Sequence, residues 1–278
     1  MRRMTTLEAL REPDERALAR SPLIQVIWQI RLDPTPSLCE ARSVLEFQKY
    51  LGRDTKLSQA PLQNALQVVA VGHRATSLES PQQSNRGWRL TSSEGDASVS
   101  VESESVAVET AAYGTWKDHF GPWVSSTIEA LGRMSPPPAL RVRVGMRYVN
   151  AIFGAALGVE PFRDITELRQ VVVPSIMGLI GDDALGARIG VAQGRQVLRL
   201  DGLSSHIQHA TVQTDESEFG LILDIDTYSD ETAPFNTVQV TSVSEQIHTV
   251  GLALFQHCVL PSAWEAMEPL AQNDASTS

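Results

Sequence analysis

The order strand, helix, several short strands, long amphipathic helix runs through this chain twice, over residues 21–133 and again over 140–268. From Ile24 the apolar Val26, Trp28, Ile30 and Leu32 alternate with Gln25, Gln29 and Arg31, the period of two that marks a half-buried strand. Leu140, Val142, Val144, Met146 and Tyr148 alternate in the same way with Arg141, Arg143 and Arg147. Asp33-Pro34-Thr35-Pro36 breaks the first strand, and Ser37 with Glu40 predicts a capping box for a helix that Gly52 ends. Trp88, Leu90, Val99, Val101, Val106 and Val108 fall on short alternating segments around a Glu94-Gly95-Asp96 turn, the pattern of an antiparallel meander. Thr115 and Asp118 start the next helix, whose stripe is Trp116, Phe120, Trp123, Val124, Ile128 and Leu131. In the second copy, strands are predicted near 187–192, 196–200, 204–213 and 219–228. A last helix is predicted to be capped by Ser242 with Glu245 and striped by Ile247, Val250, Gly251, Leu254 and Cys258.

A repeated order of this kind predicts an α+β protein of two similar lobes, each a curved antiparallel sheet packed on a long C-terminal helix, in the helix-grip or TATA-binding-protein-like manner. The expected boundaries are an N-terminal extension over 1–20, a first lobe over 21–134, a proline linker over 135–139, a second lobe over 140–268 and a disordered tail over 269–278. The linker rests on Ser135-Pro136-Pro137-Pro138, which cannot continue a helix and favours a stiff extended spacer.

Charge is divided unevenly along the chain. No lysine or arginine follows Arg199, while twelve acidic residues lie between Asp201 and Asp274, so the first 199 residues carry +2 within an overall charge of −10. Nonspecific nucleic-acid binding needs clustered cations, which this end lacks. The acidic end suits a basic protein partner, and open sheet edges suit a homodimer. No apolar run reaches the roughly 18 residues of a membrane span. Cys39 and Cys258 are too few for a disulfide framework or a thiolate zinc site. A cytoplasmic protein without membrane association is expected.

Several segments together resemble a sporadically distributed bacterial family of uncharacterised proteins of about this length. They are Ser21-Pro22-Leu23-Ile24 with Ile30-Arg31-Leu32, Gly87-Trp88-Arg89-Leu90-Thr91-Ser92, Tyr113 with Trp116 and Phe120, Gly145-Met146-Arg147-Tyr148-Val149-Asn150, and Leu223-Asp224-Ile225-Asp226. The resemblance spans nearly the whole chain and implies a protein of an accessory bacterial gene set, without implying an activity.

Candidate chemistry is sparse. Arg141, Arg143 and Arg147 share one strand face and can grip a carboxylate or phosphate in two-point fashion, with Tyr148 and Asn150 as further candidate ligand-binding groups. Asp224 and Asp226, two apart on a strand, can seat a divalent cation or pair with Arg143 and Arg147 across the sheet. His206 and His209, three apart, point to opposite faces of a strand. His73, His119, His248 and His257 are scattered, and no serine or cysteine has a base and orienting carboxylate at a recognisable spacing. No phosphate loop is present, so no cofactor is expected. A noncatalytic binding or protein-interaction module is the expected function, with a small-ligand receptor or metal-assisted enzyme working in an interlobe cleft as the alternative.

Overall fold

The computed structural model describes residues 10–61, 70–71, 74–75, 86–134 and 141–271. The expected proline linker, the Pro81 to Asn85 loop and most of a short strand expected from Leu66 lie outside these residues. The first half contributes β1 (Leu23–Leu32), α1 (Ala41–Leu51), β2 (Thr55–Pro61), the small pair β3 (Ala70–Val71) and β4 (Arg74–Ala75), β5 (Arg86–Ser92), β6 (Ala97–Val101), β7 (Ser105–Thr110) and α2 (Gly121–Arg133). The second contributes β8 (Arg141–Ile152), α3 (Pro174–Met177), β9 (Gln193–Leu200), β10 (Leu203–Gln213), β11 (Phe219–Ser229), β12 (Ala233–Pro234), α4 (Thr237–Cys258) and α5 (Pro261–Ala266).

One antiparallel sheet of ten strands organises the molecule, in the order β2-β5-β6-β7-β1-β8-β11-β10-β9 with β12 beside β8. The two halves meet at the β1–β8 pair, in which Trp28 faces Met146 and Arg31 faces Arg143. Where the sequence suggests a cleft between lobes, backbone hydrogen bonds join the halves. Outward from this seam lie β7 and β11, reached by long connections, and beyond them the successive hairpin strands β6 and β5 on one side and β10 and β9 on the other, with β2 beside β5.

Strand parity divides the sheet into two different faces. On β1 the buried residues are Val26, Trp28, Ile30 and Leu32, and on β8 they include Val142, Val144, Met146 and Tyr148. Helices α1, α2 and α4 cover this face: Trp28 Nε1 donates to Ser244 Oγ of α4 at 2.9 Å, and Trp88 Nε1 donates to the Cys39 carbonyl just before α1 at 2.8 Å. A fully buried indole removes roughly 150–250 Å² from water, so Trp28 anchors the centre of the core once its N–H has a partner. The opposite face, which these three helices leave uncovered, carries the polar alternates.

Local capping differs from the sequence reading at two helices. Pro36–Cys39 forms a short 3₁₀ turn, and α1 begins beyond it with Glu40 in extended conformation, so Ser37 and Glu40 form no capping box. Gly52 ends α1 at φ +63°, a left-handed position that suits glycine. α4 starts before Ser242: Asn236 accepts from the Gln239 amide at 3.0 Å, and Ser242 lies inside the helix. The strand expected near 187–192 is instead a 3₁₀ turn over Gly186–Arg188 and the loop after it. Thr115 accepts from the Asp118 amide as the sequence predicts, but it caps a separate short turn, Trp116–Phe120, and α2 starts after it at Gly121 with Pro122 in its first turn, where the missing N–H costs nothing.

Candidate functional site

Between the helical face of the sheet, α4 and the N-terminal segment lies a cavity of about 800 Å³, walled by Tyr113, Trp116, Tyr148, Asn150, His248 and Trp264. Each wall has a local cause. Tyr148 and Asn150 are inward alternates of β8, and Gly251 of α4 makes room for the Tyr148 ring, since a Cβ there would lie 3.0 Å from Tyr148 Cε2. Tyr113 and Trp116 come from the connection between β7 and α2, where Thr115 caps the turn. Residues 15–18 close the far side, held by backbone hydrogen bonds from Ala19 to Glu268 and from Leu270 to Ala17, at 3.0 and 2.8 Å.

His248 is the polar centre of this cavity. Its residue is only 3% exposed. The Tyr148 hydroxyl lies 2.7 Å from His248 Nδ1, and the Trp116 indole stacks on the imidazole with centroids 4.7 Å apart and planes 9° from parallel. Nε2 has no hydrogen-bond partner among the described residues, and the closest carboxylate oxygen, on half-exposed Glu15, is 3.8 Å away. An acceptor on that side favours the tautomer with the proton on Nε2, in which an N–H points toward Glu15 and the open space and Nδ1 shares the Tyr148 hydroxyl proton with Met146 Sδ, 2.8 Å from that hydroxyl. The stacked Trp116 and His248 also wall a second cavity of about 460 Å³ between α2 and α4.

Electrostatics keep this cluster neutral. Burial pushes the His248 imidazole down to about 4. Burial likewise raises the Tyr113 and Tyr148 phenols above their ordinary range. A general acid or base works best with a pKa near the working pH, and these three groups are moved away from neutrality. The arrangement offers a neutral donor, an amide and aromatic surface: equipment for recognition.

The residues expected to bind ligand do not converge. Tyr148 and Asn150 line the cavity, while Arg143 and Arg147 occupy the opposite face of the same strand. Arg141 opens β8, and its side chain lies outside the described residues. Arg147 clamps Asp224 in a bidentate pair, Nε to Oδ1 at 2.9 Å and Nη2 to Oδ2 at 2.7 Å. Asp226 stands directly across from Arg147, and burial raises its carboxyl against the pull of that guanidinium. The paired use of Asp224 leaves its oxygens committed, and among the described residues no group of three or more His, Cys, Asp or Glu side chains is placed to hold a metal.

Elsewhere on the open face, Arg89, Glu109 and Ser98 form a second cross-strand cluster. His206 links Arg195 and Tyr228 through Nδ1 and Nε2 at 3.0 and 2.8 Å, while His209 lies on the helical face, as their three-residue separation predicts. Ser92, Asp96 and His119 also make a chain of contacts. The carboxylate stands in its middle, so the imidazole cannot take a proton from the serine, and the acyl-transfer arrangement is not formed.

The residues missed from sequence are Glu15, Tyr113 and His248, which the fold gathers from three segments. Only His248 carried a local signal, as a polar residue beside the apolar stripe of the last helix. No family model matches the chain, and a search of curated proteins finds no significant match.

Proposed function

We propose that this protein is a noncatalytic binding module, a receptor that takes an aromatic or partly apolar group bearing a hydrogen-bond acceptor into the cavity between β8, α4 and the Trp116 turn. The observation that carries this reading is the buried His248 Nε2, without a partner at the edge of about 800 Å³ of space. Leaving a buried donor unsatisfied costs about 1–3 kcal/mol, and an acceptor on a bound ligand removes that cost. Trp116, Tyr113 and Tyr148 supply flat surfaces for the rest of it. Glu15 and Asp118 offset Arg16 and Lys117 around the rim, so the occupant is close to neutral.

The same proposal includes an origin by internal duplication, with residues 21–134 and 140–268 as the two copies about the β1–β8 seam. It also includes membership of the sporadic bacterial family whose motifs the chain resembles, a cytoplasmic setting in an accessory gene set, and a protein partner that presents the recognised group. The displacement of His248, Tyr113 and Tyr148 away from neutrality by burial favours this over an enzyme that uses them as acid or base.

The test is a thermal-shift and tryptophan-fluorescence titration of the full chain with indole, phenol, benzamide and N-acetyl-tryptophanamide. Saturable quenching is expected, with stabilisation of about 2.7 kcal/mol at a hundredfold excess over Kd, and both weaken in Tyr148→Phe, which frees His248 to change tautomer. The proposal is abandoned if none of these probes gives saturable binding at millimolar concentration.

A further inference from the structure

One face of α4 is polar over two turns: Thr241, Ser244, Glu245 and His248 recur at three- and four-residue steps, as Gly121, Val124, Ser125 and Ile128 do on α2. The cavity of about 460 Å³ lies between these two stripes. Val124 and Ile128 give it a buried apolar side. Ser244 is spent inside the fold, accepting from Trp28 and donating to the Val240 carbonyl at 2.7 Å, and Thr249 donates to the Glu245 carbonyl at 3.0 Å. The hydroxyls of Ser125 and Thr241 and the carboxylate of Glu245 are committed to no other side chain or backbone group among the described residues.

This cavity and the aromatic one share Glu15, Trp116, Lys117 and His248. His248 therefore stands at the border of the two, 3% exposed, with Nε2 unpartnered and turned toward Glu15. A ligand atom that accepts from Nε2 sits at that border, and whatever extends beyond it into the smaller cavity meets α2 and α4. The charge there has one sign. Glu15 and Lys117 offset each other, and Glu245 is left over, because α4 carries no Lys or Arg. His248 adds no opposing charge near pH 7, since burial holds its imidazole down to about 4.

We propose that the smaller cavity is the second subsite of the same receptor, and that the occupant is a peptide segment of a partner protein in which a basic residue neighbours the aromatic one. The inference rests on the receptor reading. The aromatic side chain fills the larger cavity, a main-chain carbonyl accepts from His248 Nε2 at the border, and the ammonium or guanidinium lies beside Glu245 with its apolar stem along Val124 and Ile128. Ser125 and Thr241 are free to bond the peptide groups between them. A peptide carries all three features, ring, carbonyl and cation, at a short fixed spacing, and it is the form in which a protein partner presents them.

The experiment is calorimetric titration of the full chain with N-acetyl-tryptophanamide, with three capped dipeptides in which tryptophan is followed by lysine, glutamine or glutamate, and with tryptamine. The lysine peptide is expected to bind about threefold tighter than the glutamine peptide and about tenfold tighter than the glutamate one, as for a partly solvated ion pair, and the difference shrinks at high salt. Glu245→Gln removes the preference for lysine and Lys117→Gln enlarges it. Glu231→Gln, which takes an acid from the β11–β12 connection, outside both cavities, leaves it as it was. No binding of any probe overturns the receptor reading and the subsite with it. Binding of N-acetyl-tryptophanamide with equal affinity for the three dipeptides, or loss of the preference in Glu231→Gln as well as in Glu245→Gln, overturns the subsite and leaves the receptor. Tryptamine binding as tightly as the lysine peptide also overturns it, in favour of a free amine.

Discussion

At the scale of single residues, burial decides the chemistry more than residue type does. His248 holds an imidazole where water is excluded, and its folded pKa of about 4 lies below the ordinary 6.5. Between these two values the unfolded chain binds the proton and the folded chain does not. Stability therefore falls as pH drops from 6.5 toward 4, by roughly 3 kcal/mol for this residue alone, and the loss is complete below the folded value. Urea unfolding at pH 7.0 and pH 4.5 is expected to show a smaller difference in His248→Gln than in the natural chain. An equal difference in both proteins would mean that this imidazole does not titrate as its burial requires.

At the scale of elements, cross-strand pairs carry the specificity of the sheet. Arg147 and Asp224 project from neighbouring strands and meet in a bidentate pair with side chains 20% and 11% exposed. Removing only the cation leaves a buried carboxylate uncompensated, which costs about 3–5 kcal/mol, whereas replacing both partners by apolar groups is close to neutral. Arg147→Leu is thus expected to lose several kcal/mol in urea unfolding, and Arg147→Leu with Asp224→Leu to recover most of it. Additive losses would show that the pair is two independent surface charges. The strands that hold these residues were legible because a period of two is local: Val26, Trp28, Ile30 and Leu32 need no knowledge of the rest of the fold. Helix starts were less so. Pro36 sets a 3₁₀ turn where Ser37 suggested a cap, and α4 starts earlier than Ser242, at the Asn236 cap, with Val240 already in the core. The cavity was half visible, through Tyr148 and Asn150. Its other walls, Glu15, Trp116 and His248, are separated by more than a hundred residues, and no spacing rule connects them.

At the scale of the whole molecule, the seam between halves is the element that sets cooperativity. β1 and β8 pair along nearly their full lengths, Trp28 of the first half bonds Ser244 of the second, and the N-terminal segment pairs with residues 267–270 at the other end of the chain. Each half alone would expose the inner edge of its central strand and the apolar face that the other half's helix covers, which is the kind of edge that pairs with other chains. The two halves are therefore expected to unfold together. Calorimetry should give a single transition whose calorimetric and van't Hoff enthalpies agree, with tryptophan fluorescence and far-ultraviolet circular dichroism following one curve. Fragments 1–134 and 135–278 expressed apart should be unfolded or aggregated, and should regain native circular dichroism only when mixed. Two resolved transitions, or a fragment that folds by itself, would mean that the β1–β8 hydrogen bonds join bodies that are already stable, and that the sheet is continuous in geometry without being one unit in energy.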